Sequence, residues 1–375
     1  MKIVADDKIP NLKGVFEPYA KVVYKPGKDI VKSDVQDADV LIVRTRTKCN
    51  EGLLKGTKVK MVATATIGTD HMDLAWLESA GIKWCNAPGC NSGSVRQYIA
   101  SLLSHLILGG TVPSETTVGI VGVGMVGSKI ETLARTLGFK VLLNDPPRQR
   151  REGGTGFCDL PELLRNSDIV TFHTPLNREG PDISFHLLNG DTLSQLKEGA
   201  IVINSSRGEV TDTQTMLEGL EKGKISRLAL DVWENEPNID PALHQKVWIG
   251  TPHIAGYSVD GKANGTIMTV HAIAEEFGLP LTQWQPESLA MPPYPLIKLA
   301  GSNEEPYITA ARAILSSYNI LDDDARLRAK PDEFEKQRGA YPLRREFHVW
   351  KIAPHANSSA AEIAMLKNLG FQIKL

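Results

Sequence analysis

Cysteine is scarce in this chain and poorly spaced for structural work. Its four thiols, Cys49, Cys85, Cys90 and Cys158, form no CxxC pair and no Cys/His ligand set, which argues against a structural zinc site and a disulfide framework; no metal is expected. Long apolar runs are missing as well. No stretch approaches the length of a membrane span, and the N-terminal MKIVADDKIP meets acidic residues before a signal-peptide core can form. Nor is there an excess of charge of one sign: with a formal net charge of −2, nothing draws the chain to nucleic acid or to an anionic membrane, so any anion site must be local. These absences lead us to expect a cytoplasmic globular protein acting on a small molecule, without nucleic-acid or membrane partners.

What the chain does have is organised around one stretch. Val118, Ile120 and Val121 lead into Gly122-Val-Gly124-Met125-Val126-Gly127, an amphipathic segment runs to Gly138, and a second apolar run, Lys140 to Leu143, stops at Asp145. This reads as strand, glycine turn, helix, strand. In such a turn Gly122 permits a tight bend, Gly124 lets a pyrophosphate approach the backbone, and Gly127 lets helix and strand pack closely; the anion sits on the helix N-terminus. Gly122, Gly124, Met125, Val126 and Gly127 are therefore candidate dinucleotide contacts. Asp145, at the end of the second strand, is placed to accept ribose hydroxyls and to repel a 2′-phosphate, which favours NAD over NADP. Arg148, Arg150 and Arg151 follow closely and are the complication in that choice.

The 375 residues are enough for two or three domains. Apolar runs at Lys2–Ala5, Val40–Val43, Lys60–Ala65 and Ile82–Cys85 alternate with segments of helical content such as Asp70–Ala80, the pattern of a parallel sheet covered by helices. Ligands in such sheets bind beyond the carboxyl ends of the strands. There stand Arg44-Thr45-Arg46-Thr47-Lys48 and, one strand on, Thr64-Ala65-Thr66; arginine's planar fork suits carboxylate and phosphate. Arg44 and Arg46, with the hydroxyls of Thr45 and Thr66 near them, are a candidate anion site. After a helix at Ser94–Leu108 and the glycine turn, further strands are expected at Ile169–Phe172, Ala200–Ile203, Arg227–Leu230 and Trp248–Ile249. Their ends carry Thr174, Ser205, Ser206, Arg207, Asp231, Glu236 and His253. A helix at Asp260–Phe277 then returns to the first unit.

Beyond it, Pro280, Pro286, Pro292, Pro293 and Pro295 mark a linker. The tail reads as a small α+β module: helix Tyr307–Tyr318, strand Phe347–Ile352, helix Ser359–Leu369 with Ser359 and Glu362 as a capping box and Gly370 as its stop, and strand Phe371–Leu375. Assembly as a homodimer is the role expected of it.

The joint order of Gly122-x-Gly124-x-x-Gly127, Asn204-Ser-Ser-Arg207-Gly208, Asp231-Val-Trp-Glu-Asn-Glu236-Pro237 and Thr251-Pro-His253-Ile-Ala-Gly256 resembles the D-isomer-specific 2-hydroxyacid dehydrogenases over about the first 280 residues. The resemblance implies an α/β fold of two doubly wound parallel-sheet domains plus a small C-terminal α+β domain: a flavodoxin-like substrate-binding domain (1–93 and 255–280), a Rossmann NAD-binding domain (94–254) and a dimerisation domain (281–375). It assigns Arg207, Glu236 and His253 to catalysis. Thr45, Thr66 and Tyr257 go to the substrate, a small phosphorylated 2-hydroxy acid, and Asp145, Thr174, Ser205, Ser206, Asp231 and Gly256 to NAD. Two alternatives stay open: a sister enzyme such as phosphoglycerate dehydrogenase, and a nucleotide-sensing corepressor-like binding module on the same fold. The chain lacks the disordered, charged recruitment tail that would favour the second.

Overall fold

A computed structural model describes residues 1–154, 156–300 and 304–374. Its apolar runs become parallel strands, since a strand buried on both faces must be apolar throughout and its parallel neighbour is reached only by a crossover. Two compact units form, Met1–Asn91 with Ser258–Ala290 and Ser92–Tyr257 with Met291–Leu375.

The first unit holds five strands, β1 (Lys2–Asp6), β2 (Lys21–Lys25), β3 (Val40–Val43), β4 (Met61–Thr64) and β5 (Lys83–Cys85), in the order β2-β1-β3-β4-β5. All pairs are parallel, and this is the flavodoxin order, with its switch point between β1 and β3. Strand β2 was not expected: at the sheet edge its KVVYK is only half buried, so no apolar run announces it. Alternate residues serve opposite faces. Ile3, Ala5, Ile42 and Ala63 pack on Val270, Ile273 and Ala274 of the helix Val259–Phe277, whereas Val4, Leu41, Val43 and Val62 cover Val35, Leu54 and Leu77. That long helix comes very close to the sheet, and a Cβ at Gly265 would stand 2.6 Å from the Ala65 carbonyl oxygen. The expected helix at Asp70–Ala80 shortens to Leu74–Ser79, because the Asp73 carboxylate caps it by accepting the Trp76 N–H.

The main sheet of the second unit has six parallel strands, β6 (Thr117–Val121), β7 (Lys140–Asn144), β8 (Ile169–Phe172), β9 (Ala200–Asn204), β10 (Ile225–Leu230) and β11 (Ile249–Gly250), ordered β11-β10-β9-β8-β6-β7. The order reverses at β6, so the glycine turn stands at the switch point, where doubly wound sheets bind their ligands. Short helices that went unforeseen include Pro146–Glu152 and Pro241–Lys246; each of these two has proline in its first turn and an aspartate cap, Asp145 and Asp240.

The tail belongs to this same unit. Ala310, Ala311, Ala313 and Ile314 of the helix Pro306–Ser317 share a core with Tyr98, Ile99, Leu102 and Leu103 of the helix Ser92–Leu108. Arg96 donates to the Leu369 carbonyl at 2.9 Å and Gln97 to that of Arg345 at 2.9 Å. The separate domain expected at 281–375 therefore buries its apolar face against its own chain, with the crossing at Met291 rather than 281. Its sheet is β12 (Leu296–Lys298), β13 (Lys351–Ala353) and β14 (Gln372–Ile373), all parallel. The strand expected from Phe347 starts later, as Phe347–Val349 forms a 3-10 turn that sets the Phe347 ring 4.8 Å from that of Phe371, tilted by 38°; Leu375 lies outside the described residues. The capping box forms as expected, Ser359 and Glu362 each binding the other's N–H, and Gly370 ends the helix at φ +99°. Among the described residues no helix is long and apolar enough to cross a membrane.

Candidate active site

The turn after β6 needs its glycines. Gly122 has φ +85°, and a Cβ there would stand 2.7 Å from the His173 carbonyl oxygen; one at Gly127 would stand 2.0 Å from that of Gly122. At Gly124, by contrast, a Cβ would meet nothing within 4 Å, so the backbone is open to a ligand there. Met125 is exposed and Val126 half-buried just ahead of the helix Gly127–Leu137. Asp145 ties this turn to the next strand: one carboxylate oxygen accepts the Val123 N–H at 2.8 Å and the other the Arg148 N–H at 2.9 Å. Each oxygen retains lone-pair capacity for a ribose hydroxyl. The three arginines behind it are engaged with acids, Arg148 with Glu152 at 2.9 Å, Arg150 with Asp182 at 2.6 Å and Arg151 with Glu152 at 3.2 Å. Their charge is largely spent locally, which suits NAD better than a 2′-phosphate.

Two hydroxyls wait at the next strand ends. Thr174 Oγ1, after β8, and Ser205 Oγ, after β9, are buried without a hydrogen-bond partner, a cost that a bound dinucleotide would relieve. Residues at the glycine turn, Asp145 and these two hydroxyls thus fit NAD. Ser206 differs, because its hydroxyl donates to Asn204 Oδ1 at 2.8 Å and so braces the turn. His173 sits beside these groups with Nε2 on Thr171 Oγ1 at 2.9 Å; burial pushes its ring down to about 3, so it is neutral at ordinary pH.

Adjacent strands β9, β10 and β11 deliver Arg207, Glu236 and His253. Arg207 donates to the Ser206 carbonyl at 2.9 Å. A Cβ at Gly208 would stand 2.0 Å from the Trp233 carbonyl oxygen, so the turn carrying Arg207 lies directly on the loop that leads to Glu236. Glu236 accepts the Trp233 N–H through Oε1 at 2.9 Å and holds His253 Nδ1 through Oε2 at 2.8 Å. Burial alone would raise this carboxyl, but the neighbouring His253, its hydrogen bond, the Trp233 N–H and the Arg338 charge outweigh burial and hold it below the usual value.

Asp231 organises the same loop from within. Only 1% exposed, it accepts the Thr251 hydroxyl at 2.6 Å, the Ile254 N–H at 2.7 Å and the Ala255 N–H at 2.9 Å, while its carbonyl takes the His253 N–H at 2.7 Å. Burial pushes the Asp231 carboxyl upward despite the nearby His253 and these bonds. His253 itself has φ +55°, a conformation that costs a non-glycine residue about 1–2 kcal/mol and persists where surroundings enforce it. The loop continues through Gly256 to Tyr257. Although Ala255, Gly256 and Tyr257 were expected to open the returning segment of the substrate domain, they belong to the nucleotide-binding unit; the Asp231 clamp and bonds from the tail hold them there.

The remaining candidates stand in the first unit. Thr45 and Arg46 are exposed and, with Lys48, Asn50, Asp70 and His71, line a cavity of about 680 Å³. Arg44 donates to the Lys8 carbonyl at 3.3 Å. The Thr66 hydroxyl meets that of Thr64 at 2.7 Å and the Gly68 carbonyl at 3.0 Å. Sequence reasoning passed over His71, whose buried Nε2 has no partner. It also gave no role to Asp231 as a clamp, which only the fold makes visible. His186, Asp212 and Glu234 offer ligand atoms within 4.8 Å of one another, yet His186 already binds Glu234 at 2.7 Å and Asp212 caps the helix Thr213–Glu221.

A dinucleotide turn at the switch point with a histidine–carboxylate pair three and four strands away defines an NAD-dependent 2-hydroxyacid dehydrogenase. Residues 103–255 match the family model of the D-isomer specific 2-hydroxyacid dehydrogenase NAD binding domain, and residues 289–370 match a domain of unknown function, DUF3410. The chain is 49% identical over 355 residues to erythronate-4-phosphate dehydrogenase of Bacteroides thetaiotaomicron, covering 94% of this chain and 99% of that one. It is 40% identical to the enzyme of the same name from Yersinia enterocolitica over the full length of both. Among solved structures, the TT0316 protein from Thermus thermophilus aligns at TM-score 0.63 and 24% identity (78% of this chain, 100% of that one). The Aquifex aeolicus D-lactate dehydrogenase complexed with NAD and lactic acid aligns at TM-score 0.58 and 24% identity (74% and 96%). The chain belongs to the erythronate-4-phosphate dehydrogenases.

Proposed function

We propose that the protein oxidises the 2-hydroxyl of 4-phospho-D-erythronate, giving 3-hydroxy-2-oxo-4-phosphooxybutanoate, in the biosynthesis of pyridoxal 5′-phosphate. The observation that carries this reading is the 2.8 Å contact between His253 and an ionised Glu236. NAD, when bound, supplies the hydride acceptor. His253, its Nδ1 committed to Glu236, takes the hydroxyl proton on Nε2, and the carboxylate keeps the ring oriented and stabilises the imidazolium. Arg207 binds the substrate carboxylate and, in the reverse direction, polarises the 2-oxo group. Arg44 and Arg46 take the phosphate, with Thr45, Thr66 and Tyr257 completing the substrate contacts. Thr174, Ser205, Asp231 and Gly256 serve the cofactor.

The protein works in the cytoplasm as a homodimer built through its C-terminal segment. Four large apolar side chains of this segment, Met291, Tyr294, Leu296 and Leu343, stand exposed, which supports that assembly. Mass measurement in solution tests it; a monomer at micromolar concentration would contradict it.

Following NADH absorbance with 4-phosphoerythronate, 3-phosphoglycerate and unphosphorylated erythronate tests the activity. Preference for 3-phosphoglycerate would move the protein to the sister enzyme, and silence with every 2-hydroxy acid would favour the binding module.

A further inference from the structure

The tail does more than cover the long helix Ser92–Leu108. Three side chains from one short segment reach the loop that carries His253. Arg338 donates from Nη2 to the Tyr257 hydroxyl at 3.1 Å, and its guanidinium carbon stands 5.6 Å from the centre of that ring. Tyr341 meets the Tyr257 ring edge-on, with centroids 6.0 Å apart. Arg344, 4% exposed, donates to the Ala255 carbonyl and stacks on Tyr318 at 4.6 Å and Tyr341 at 5.7 Å.

Behind them lies a second layer. Tyr318 and Tyr341 both donate to Asp323 Oδ2, at 2.6 and 2.7 Å, and Arg338 pairs with Glu335 Oε1 at 2.9 Å with its side chain 15% exposed. Burying guanidinium groups costs desolvation that apolar side chains of similar volume would avoid. In return the arginines fix a direction at Ala255 and Tyr257 that apolar packing does not impose, and Arg338 adds a positive charge that bears on Glu236.

We propose that Arg338 is a positioning residue for the reaction: anchored by Glu335, it fixes Tyr257 and sets a positive charge against the loop that carries His253. The C-terminal segment then works within the catalytic unit as well as in assembly. The inference rests on the roles given above to Glu236, His253 and Tyr257. Charged and titratable groups beside the pair include Asp231 from the end of β10, Arg207 from the turn packed on the Glu236 loop, Tyr257 from the His253 loop, and Arg338 from the tail with its partner Glu335.

The test compares the wild type with Arg338→Leu, Arg338→Gln and Arg338→Lys in the full chain. Arg338→Gln keeps a hydrogen-bonding amide, so a folded variant without the charge is in hand if the leucine variant does not fold. kcat/KM for 4-phosphoerythronate should fall about 10-fold or more in the uncharged variants while the Kd for NADH, read by fluorescence, stays within about 2-fold. Without the positive charge the pair takes up a proton more readily, so the acid limb of kcat/KM moves to higher pH; Arg338→Lys keeps the limb at the wild-type position and recovers part of the rate. Wild-type kcat/KM in a folded uncharged variant would overturn the proposal. So would a fall in rate with the pH profile unmoved, which would make Arg338 merely structural. If the wild type forms no NADH from 4-phosphoerythronate, the functional reading fails first and this inference falls with it.

Discussion

Nδ1 of His253 stands 2.8 Å from Oε2 of Glu236, and the other oxygen of that carboxylate is fixed by the Trp233 N–H at 2.9 Å. The imidazole therefore has one orientation and one nitrogen left for proton transfer. Replacing His253 by Asn should lower kcat about 10²- to 10⁴-fold with the Kd for NADH nearly unchanged. Replacing Glu236 by Gln should also lower kcat strongly, since an amide can donate to Nδ1 and favour the wrong tautomer. Stopped-flow and steady-state NADH formation check both variants; normal turnover in either would remove that residue from the mechanism.

Asp145 and the glycine turn set the second expectation. Its carboxylate binds the Val123 and Arg148 N–H groups, so Asp145→Ser removes both a ribose acceptor and the repulsion of a 2′-phosphate. The ratio of kcat/KM for NAD over NADP should fall about 10-fold or more. An unchanged ratio would show that cofactor choice lies elsewhere.

Gly127 gives a stability test. A Cβ there would press on the Gly122 carbonyl at 2.0 Å, so Gly127→Ala should cost about 1–3 kcal/mol and weaken NADH binding together. Gly124→Ala, with open space at that position, should leave the urea midpoint nearly unmoved and weaken binding alone. Equal losses of stability in the two variants would contradict the different roles of these glycines.

His173 makes stability depend on pH. Its folded value is depressed from 6.5 to about 3, so between these values the unfolded chain binds the extra proton and stability falls as pH falls. The slope is at most about 1.4 kcal/mol per pH unit. Glu236, also held low, adds to the loss further into acid, His71 and His244, both pushed down by burial, add to it below pH 6.5, and Asp231, pushed upward, opposes it; the difference between wild type and a His173 variant therefore isolates the His173 contribution. Urea unfolding of wild type and His173→Asn across that window should show a steeper pH dependence in the wild type, and parallel curves would refute the assignment.

The phosphate site is tested through Arg46. Arg46→Ala should raise KM for 4-phosphoerythronate well beyond its effect on unphosphorylated erythronate. An equal effect on both would leave the phosphate to other residues.

Much of this was legible in the sequence because parallel strands buried on both faces are uniformly apolar and their polar ends stand out. Arg207, Asp231, Glu236 and His253 were each visible as polar residues following such a run. The edge strand at Lys21–Lys25 was not, since half-buried KVVYK carries no comparable signal. Roles that depend on long-range contacts were hidden as well. Asp231 proves to be a clamp on the His253 loop, and Arg338 is an ordinary charged residue in the sequence until the fold sets it against Tyr257. The packing of the tail on the helix Ser92–Leu108 was hidden too, because alanines such as Ala310 and Ala313 reveal their partner helix only once packed.

The central claim is that His253, held by Glu236, removes the 2-hydroxyl proton of a phosphorylated hydroxy acid while NAD takes the hydride. The direct measurement is NADH formation by wild type and His253→Asn with 4-phospho-D-erythronate, beside 3-phosphoglycerate and unphosphorylated erythronate. We predict that NADH forms fastest from 4-phospho-D-erythronate in the wild type and is nearly abolished in the variant. NADH formation at equal rates in both proteins, or none from any of the three acids, would contradict it.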